Sequence, residues 1–217
     1  MSEKNVRESG VQRRFLDLAH ASVRADGGDK KTIYGYASVF YNGQPGTQYD
    51  LYGDGWIYER IMPGTFDRAI REDDVRALFN HDVNMVLGRK TSNTLRLSVD
   101  NVGLRYEIDA PNTATANELV ELLSRGDVTG SSFSFIVTDS NPVRKEGGVR
   151  VLEITGVQLF DVGPVTFPAY TAASSAVRAL AGPDYSLRER IEREEREVRE
   201  RARARRLRLL QLDRKAV

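Results

Sequence analysis

The chain of 217 residues contains no cysteine, which excludes a disulfide framework, thiol catalysis and a thiolate metal site. Histidine is nearly absent too: His20 and His81 are the only two. A metal centre would have to be built almost wholly from carboxylates. The sequence shows no such cluster, so no metal or other cofactor is expected. An excess of either charge is also missing, with Lys+Arg 32 against Asp+Glu 31. No global field therefore draws in nucleic acid or an anionic membrane, and neither is an expected partner. There is no apolar run long enough to span a bilayer, and no basic start followed by an apolar segment. These absences predict a soluble protein made in a reducing cytoplasm. No internal repeat is visible.

What is present suits one domain plus an appendage. The hydrophobic share of 40% suffices for a core, and a charged C-terminal stretch accounts for its being slightly low. Three regions are expected: a disordered N-terminus over 1–10, a folded domain over 11–180 and a charged helical tail over 181–217. Within the domain, strands are predicted over 13–23, 32–40, 56–61, 75–82, 85–89, 149–154 and 157–165. Leu95, Leu97 and Val99 alternate with polar residues, as do Leu104, Tyr106 and Ile108, and the turn at Asp100–Gly103 makes them a hairpin. Residues 42–55 and 141–148 read as loops. A helix is predicted from Thr65, as N-cap, to Arg71. A second helix opens on a capping box at Thr115–Glu118 and stops at Gly126. Pro164 and Pro168 place the last strand at an edge or rim. Short strands, local hairpins and few βαβ spacings predict an α+β fold, a mostly antiparallel β-barrel flanked by helices. In the tail, Glu189–Arg193, Glu192–Arg196, Glu195–Arg199 and Glu197–Arg201 are i,i+4 pairs, each worth roughly 0.2–0.5 kcal/mol. This helix is either a solvated rod or a docking, self-association or detachable element.

Residues 128–137 carry the chemical interest. Phe133, Phe135 and Val137 alternate on one face of a strand, which should point to the core. Ser132, Ser134 and Ile136 then share the other face. A serine on an anchored strand can be a nucleophile if a base stands beside it, and histidine is the usual base. His20 lies in a weakly patterned strand and reads as structural or exposed. His81 ends an apolar strand where a turn begins, and Asp82 beside it reads as a cap of that turn. A carboxylate must orient the imidazole. Asp161 sits in an apolar run, where a charge is costly unless paired. Glu153 is the alternative, with a salt bridge to Arg144 or Arg150 as its structural explanation. The pattern is not the G-x-S-x-G elbow, because position 134 is serine rather than glycine.

Read in order, several segments resemble the prohead proteases of tailed bacteriophages, capsid-maturation serine proteases whose fold is similar to herpesvirus assemblin. They are Gly35–Phe40, Ile61–Phe66, Val75–Asp82, Val86–Arg89, Arg125–Val128, Gly130–Phe135, Leu159–Val162 and Val165–Tyr170. The resemblance spans about Arg14 to Ala176. It implies that His81 is the family's histidine and that Ser132 is its nucleophile rather than Ser131. It also implies that Asp161, where the family often has glutamate, is the third member, with Glu153 as fallback. Family members usually have methionine and glycine where this chain has Ser131 and Ser134. Ser134, on the face of Ser132, is placed to compete for its hydrogen bond. Backbone N–H groups, helped by Arg89, would serve the oxyanion. The implied function is a serine endopeptidase that cleaves the scaffold segment of the major capsid protein, and itself, inside the prohead assembled in the host cytoplasm. Assemblin-like enzymes pair to become active, so a dimer is also implied. The alternative is a non-catalytic scaffolding or assembly protein on the same fold, working through its charged helix. A generic cytosolic hydrolase without a capsid partner is a third reading.

Overall fold

The computed structural model describes residues 10–27, 30–52, 54–167 and 185–213. The disorder expected over 1–10 concerns residues that, Gly10 apart, lie outside these. So do Gly28 and Asp29 of the first turn, Pro168, and the Pro168–Ala169–Tyr170 end of the family-like segments. The chain divides into two compact units between residues 180 and 181.

The first unit is an α+β fold on a single eleven-stranded sheet. Its strands are β1 (Gln12–Ala25), β2 (Lys31–Val39), β3 (Tyr49–Asp50), β4 (Ile57–Ile61), β5 (Arg76–Leu78), β6 (Val86–Arg89), β7 (Leu95–Val99), β8 (Gly103–Asp109), β9 (Gly130–Ser140), β10 (Arg144–Glu146) and β11 (Val149–Val165). The main order is β3-β4-β11-β9-β1-β2-β8-β7, with β5, β6 and β10 joined through β11. Most ladders are antiparallel, as predicted, but β11 pairs in parallel with β4 and β5. The predicted barrel is corrected to an open sheet: the order runs from β3 to β7, and no ladder joins those two ends among the described residues.

β11 departs most from expectation. The two strands predicted on either side of Thr155–Gly156 are one, because the interruption is a set of bulges in the β9 ladder rather than a turn. Nor is it an edge. It is hydrogen-bonded to β4 and β5 on one side and to β9 and β10 on the other. Pro164 stays inside this ladder, opposite Ser131, and its carbonyl accepts from Asn80 N–H at 3.0 Å. Part of the expected 141–148 loop is β10, closed onto β11 through Gly147 and Gly148, both with positive φ.

The helices differ in their caps. α1 (Ala69–Glu72) starts later than predicted, and Thr65 is not its N-cap. The buried Thr65 hydroxyl instead has its one proton between two carbonyl acceptors, Met62 (2.6 Å) and Ile154 (2.8 Å), and so ties this turn to β11. α2 (Ala114–Arg125) begins at Thr113, whose side chain accepts from Ala116 N–H, so the cap lies two residues before the predicted box. Gly126 ends it in the left-handed conformation (φ 81°), bonding the carbonyls of Leu122 and Leu123. Ala116, Leu119, Val120 and Leu123 are its buried stripe.

Phe133 and Phe135 are fully buried, as the alternation predicts, and stack at 4.7 Å between ring centroids. Phe66 meets Phe133 edge-on at 5.6 Å. Each such ring contributes about 1.5–3 kcal/mol by burial, which fixes the middle of β9 against the core.

Among the described residues, the second unit by itself holds one helix, α3 (Tyr185–Asp213). Of its predicted pairs, Glu195–Arg199 (3.1 Å) and Glu197–Arg201 (3.2 Å) are formed, and Arg188–Glu192 (3.3 Å) adds one in the reverse order. No helix among the described residues is long and apolar enough to cross a membrane.

Candidate active site

Ser132 stands near the start of β9, in register between Phe15 of β1 and Gly163 of β11. The pleat separates it from Ser131, whose hydroxyl lies on the opposite face, 2.6 Å from the fully buried Tyr106 hydroxyl. Burial pushes the Tyr106 phenol well above its ordinary pKa, so it stays protonated and keeps this bond.

His81 reaches Ser132 from a turn rather than a strand. β5 ends at Leu78, and Asn80 (φ 55°) and His81 (φ 57°) both adopt the left-handed conformation. Two such residues in succession cost about 1–2 kcal/mol each and need outside support. Asn80 supplies it. Besides its backbone bond to Pro164, its amide donates to Thr166 Oγ1 (3.0 Å) and its side-chain carbonyl accepts from Thr166 N–H (2.8 Å). Asp82 Oδ1 accepts from Asn84 N–H at 2.8 Å, the turn-capping role read from the sequence. The turn is thus fastened to the end of β11, and the imidazole projects toward β9.

The resulting geometry is a chain of three side chains. Ser132 Oγ lies 2.6 Å from His81 Nε2, and His81 Nδ1 lies 2.5 Å from Asp161 Oδ1. With the Nδ1 proton donated to the carboxylate, Nε2 is free to accept from the serine. Ser132 is completely buried, Asp161 is 8% exposed and the His81 side chain is 5% exposed, so these bonds act in a medium poorer in water than the surface. The serine hydroxyl has a second acceptor, the Arg14 carbonyl at 3.1 Å on β1. One proton cannot serve both, so the serine is activated only when it points to the imidazole.

Asp161 enters this face because β11 bulges against β9 between Leu159 and Asp161. There it pairs in register with Ser134, whose hydroxyl donates to Asp161 Oδ2. Ser134 therefore does not compete for Ser132, as its shared face suggested. It bonds the acid instead. The sequence signal for it was the serine two residues after Ser132; the bulge that decides its partner leaves none.

The other candidates lie elsewhere. Glu153 is bound to Arg144 (2.6 Å) and to the Asn141 amide (2.8 Å), and Arg144 first, then Asn141, hold its carboxyl below the usual range. Its structural explanation is the one observed, and the structure does not bring it to His81. Arg89, at the end of the outer strand β6, is engaged by Asp74 at 2.5 Å, a contact that lowers the pKa of Asp74. His20 is exposed. No group of three or more His, Asp or Glu with metal-binding arrangement exists among the described residues.

No curated protein matches the chain. The structure of the bacteriophage T4 capsid assembly protease, gp21, is similar at a TM-score of 0.43 and 10% identity, over 73% of this chain and 98% of that one. The family model described as caudovirus prohead serine protease matches residues 19–184, most of the chain, and the protein belongs to that family of phage capsid-maturation hydrolases.

Proposed function

We propose that the protein is a serine endopeptidase in which Ser132 is the nucleophile, His81 the general base and acid, and Asp161 the group that orients the imidazole. The observation that carries this reading is the unbroken chain Ser132 Oγ–His81 Nε2, His81 Nδ1–Asp161 Oδ1, at 2.6 and 2.5 Å. Ser132 Oγ attacks the peptide carbonyl while its proton passes to Nε2. The imidazolium that forms is stabilised by Asp161 and gives the proton to the leaving amine. Water then loses a proton to Nε2 as it attacks the acyl carbonyl, and the bond to Ser132 Oγ breaks as that proton passes to the serine oxygen. Backbone N–H groups serve the oxyanion, since the Arg89 guanidinium is occupied by Asp74.

Membership of the prohead protease family supports the choice of substrate. The proposed targets are the scaffold segment of the major capsid protein and the protease itself, cut inside the assembled shell. The deciding experiment is co-expression with the cognate shell protein, wild type against Ser132→Ala, with products read by mass spectrometry. Wild type should yield a shortened shell protein and a shortened protease. Ser132→Ala should slow both by about 10³-fold or more. Normal processing by Ser132→Ala would leave an assembly role on the same fold.

A further inference from the structure

Asp161 has two carboxylate oxygens, and only one of them is explained by His81. The other accepts from Ser134, which is 2% exposed and stands in register with Asp161 across β9 and β11. We propose that Ser134 is a positioning residue of the hydrolytic site: its hydroxyl holds the outer oxygen of Asp161, so that the inner oxygen stays on His81 Nδ1. This inference rests on the triad reading above and deepens it.

The physical argument begins with the torsion of the acid. The last bond of an aspartate side chain turns in a broad, roughly two-fold well. A carboxylate held by one oxygen can therefore swing about that bond and loosen its grip on the ring. Bonds to both oxygens, from two different elements, fix the plane. Here Ser134 comes from β9 and His81 from the 79–82 turn, so the carboxylate of β11 is pinned from two sides. Burial adds to this. With Asp161 8% exposed, bulk water does not easily replace a lost hydroxyl, and an oxygen left unpaired at a charged group is costly. Parity gives the arrangement economy: Ser132 and Ser134 are i and i+2 on one strand face, so one strand supplies both the nucleophile and the support for the acid behind its base.

The test uses the full-length protein. Its probe is a synthetic peptide spanning a cleavage site mapped on the co-expressed shell protein. Ser134→Ala should lower kcat about ten- to hundredfold with KM unchanged, and Ser134→Thr, which keeps the hydroxyl, should restore most of it. Ser134→Cys, nearly the same size but a weak donor, should behave like the alanine variant and serves if that variant folds poorly. A spectroscopic readout independent of turnover accompanies these. The chain has two histidines, so the ring protons of His81 can be assigned by NMR against an exposed His20. The downfield Nδ1 proton signal of His81 should move in Ser134→Ala and return in Ser134→Thr. Wild-type kcat in Ser134→Ala, or a lowered kcat with that signal unmoved, overturns the proposal. Undiminished cleavage by Ser132→Ala would instead overturn the triad reading, a separate result.

Discussion

A carboxylate in an apolar strand is the kind of residue whose environment has to be read before its role. Asp161 and Glu153 lie on the same strand, and both are 8% exposed. What separates them is the neighbour: imidazole and hydroxyl for Asp161, guanidinium and amide for Glu153. Asp161→Asn should lower kcat about 10⁴-fold with little change in KM, because an amide favours the wrong imidazole tautomer. Glu153→Gln should leave kcat within about twofold and cost on the order of 1–2 kcal/mol in thermal unfolding, through the weakened bond to Arg144. Peptide kinetics and melting of the two variants check this, and a reversal of the two effects would move the orienting role to Glu153. At this scale much was legible. Strand parity separated Ser132 from Ser131, and the cost of an unpaired charge pointed at Asp161. The bond from Ser134 was not legible, since it depends on a bulge between Leu159 and Asp161 that no residue pattern announces.

Among the elements, the 79–82 turn and β11 decide whether the site exists. The turn is brought close by β5, and β5 comes close because position 163 has no side chain. A Cβ on Gly163 would stand 2.1 Å from the Leu78 carbonyl oxygen and 3.1 Å from its carbon. Backbone cannot yield as a side-chain tip can, so β5 would have to shift. Gly163→Ala should therefore cost about 1–3 kcal/mol by overpacking and should also displace His81. The expected result is a loss of cleavage larger than the melting shift explains, at a temperature where the variant is still folded. Full activity in a folded Gly163→Ala protein would show that the turn is held without β5. Alternation predicted β7 and β8 within a residue or two, because each buries one face and leaves a period-two record. It failed at β11, where both faces are covered and one strand serves four partners, so neither its continuity nor its central place leaves such a record. The helix caps failed for a different reason. Thr65 and Thr115 are both plausible caps by type, but one hydroxyl is taken by β11 and the other loses to Thr113.

For the molecule as a whole, the α+β class could be read from strand spacing, whereas closure could not, because it depends on which distant strands meet. The charged helix α3 belongs to a unit of its own and has the composition of an element that works outside a core. The Arg188–Glu192, Glu195–Arg199 and Glu197–Arg201 pairs contribute roughly 0.2–0.5 kcal/mol each, and Val198 is 63% exposed on its surface. A helix polar on nearly all sides bridges, docks or stays solvated; the proposed role here is docking on scaffold. The proposed catalytic residues, by contrast, all lie before residue 167. Deleting residues 181–217 should accordingly leave cleavage of a peptide probe within about twofold, while the amount of protease recovered in purified shells falls about tenfold or more, the consequence of losing as little as ~1.4 kcal/mol of docking energy. Immunoblots of purified shells beside peptide kinetics give the two readings. Unchanged incorporation of the shortened chain would assign recruitment to the sheet-bearing unit and leave α3 a solvated appendage, whereas lost peptide cleavage would make α3 part of the working enzyme.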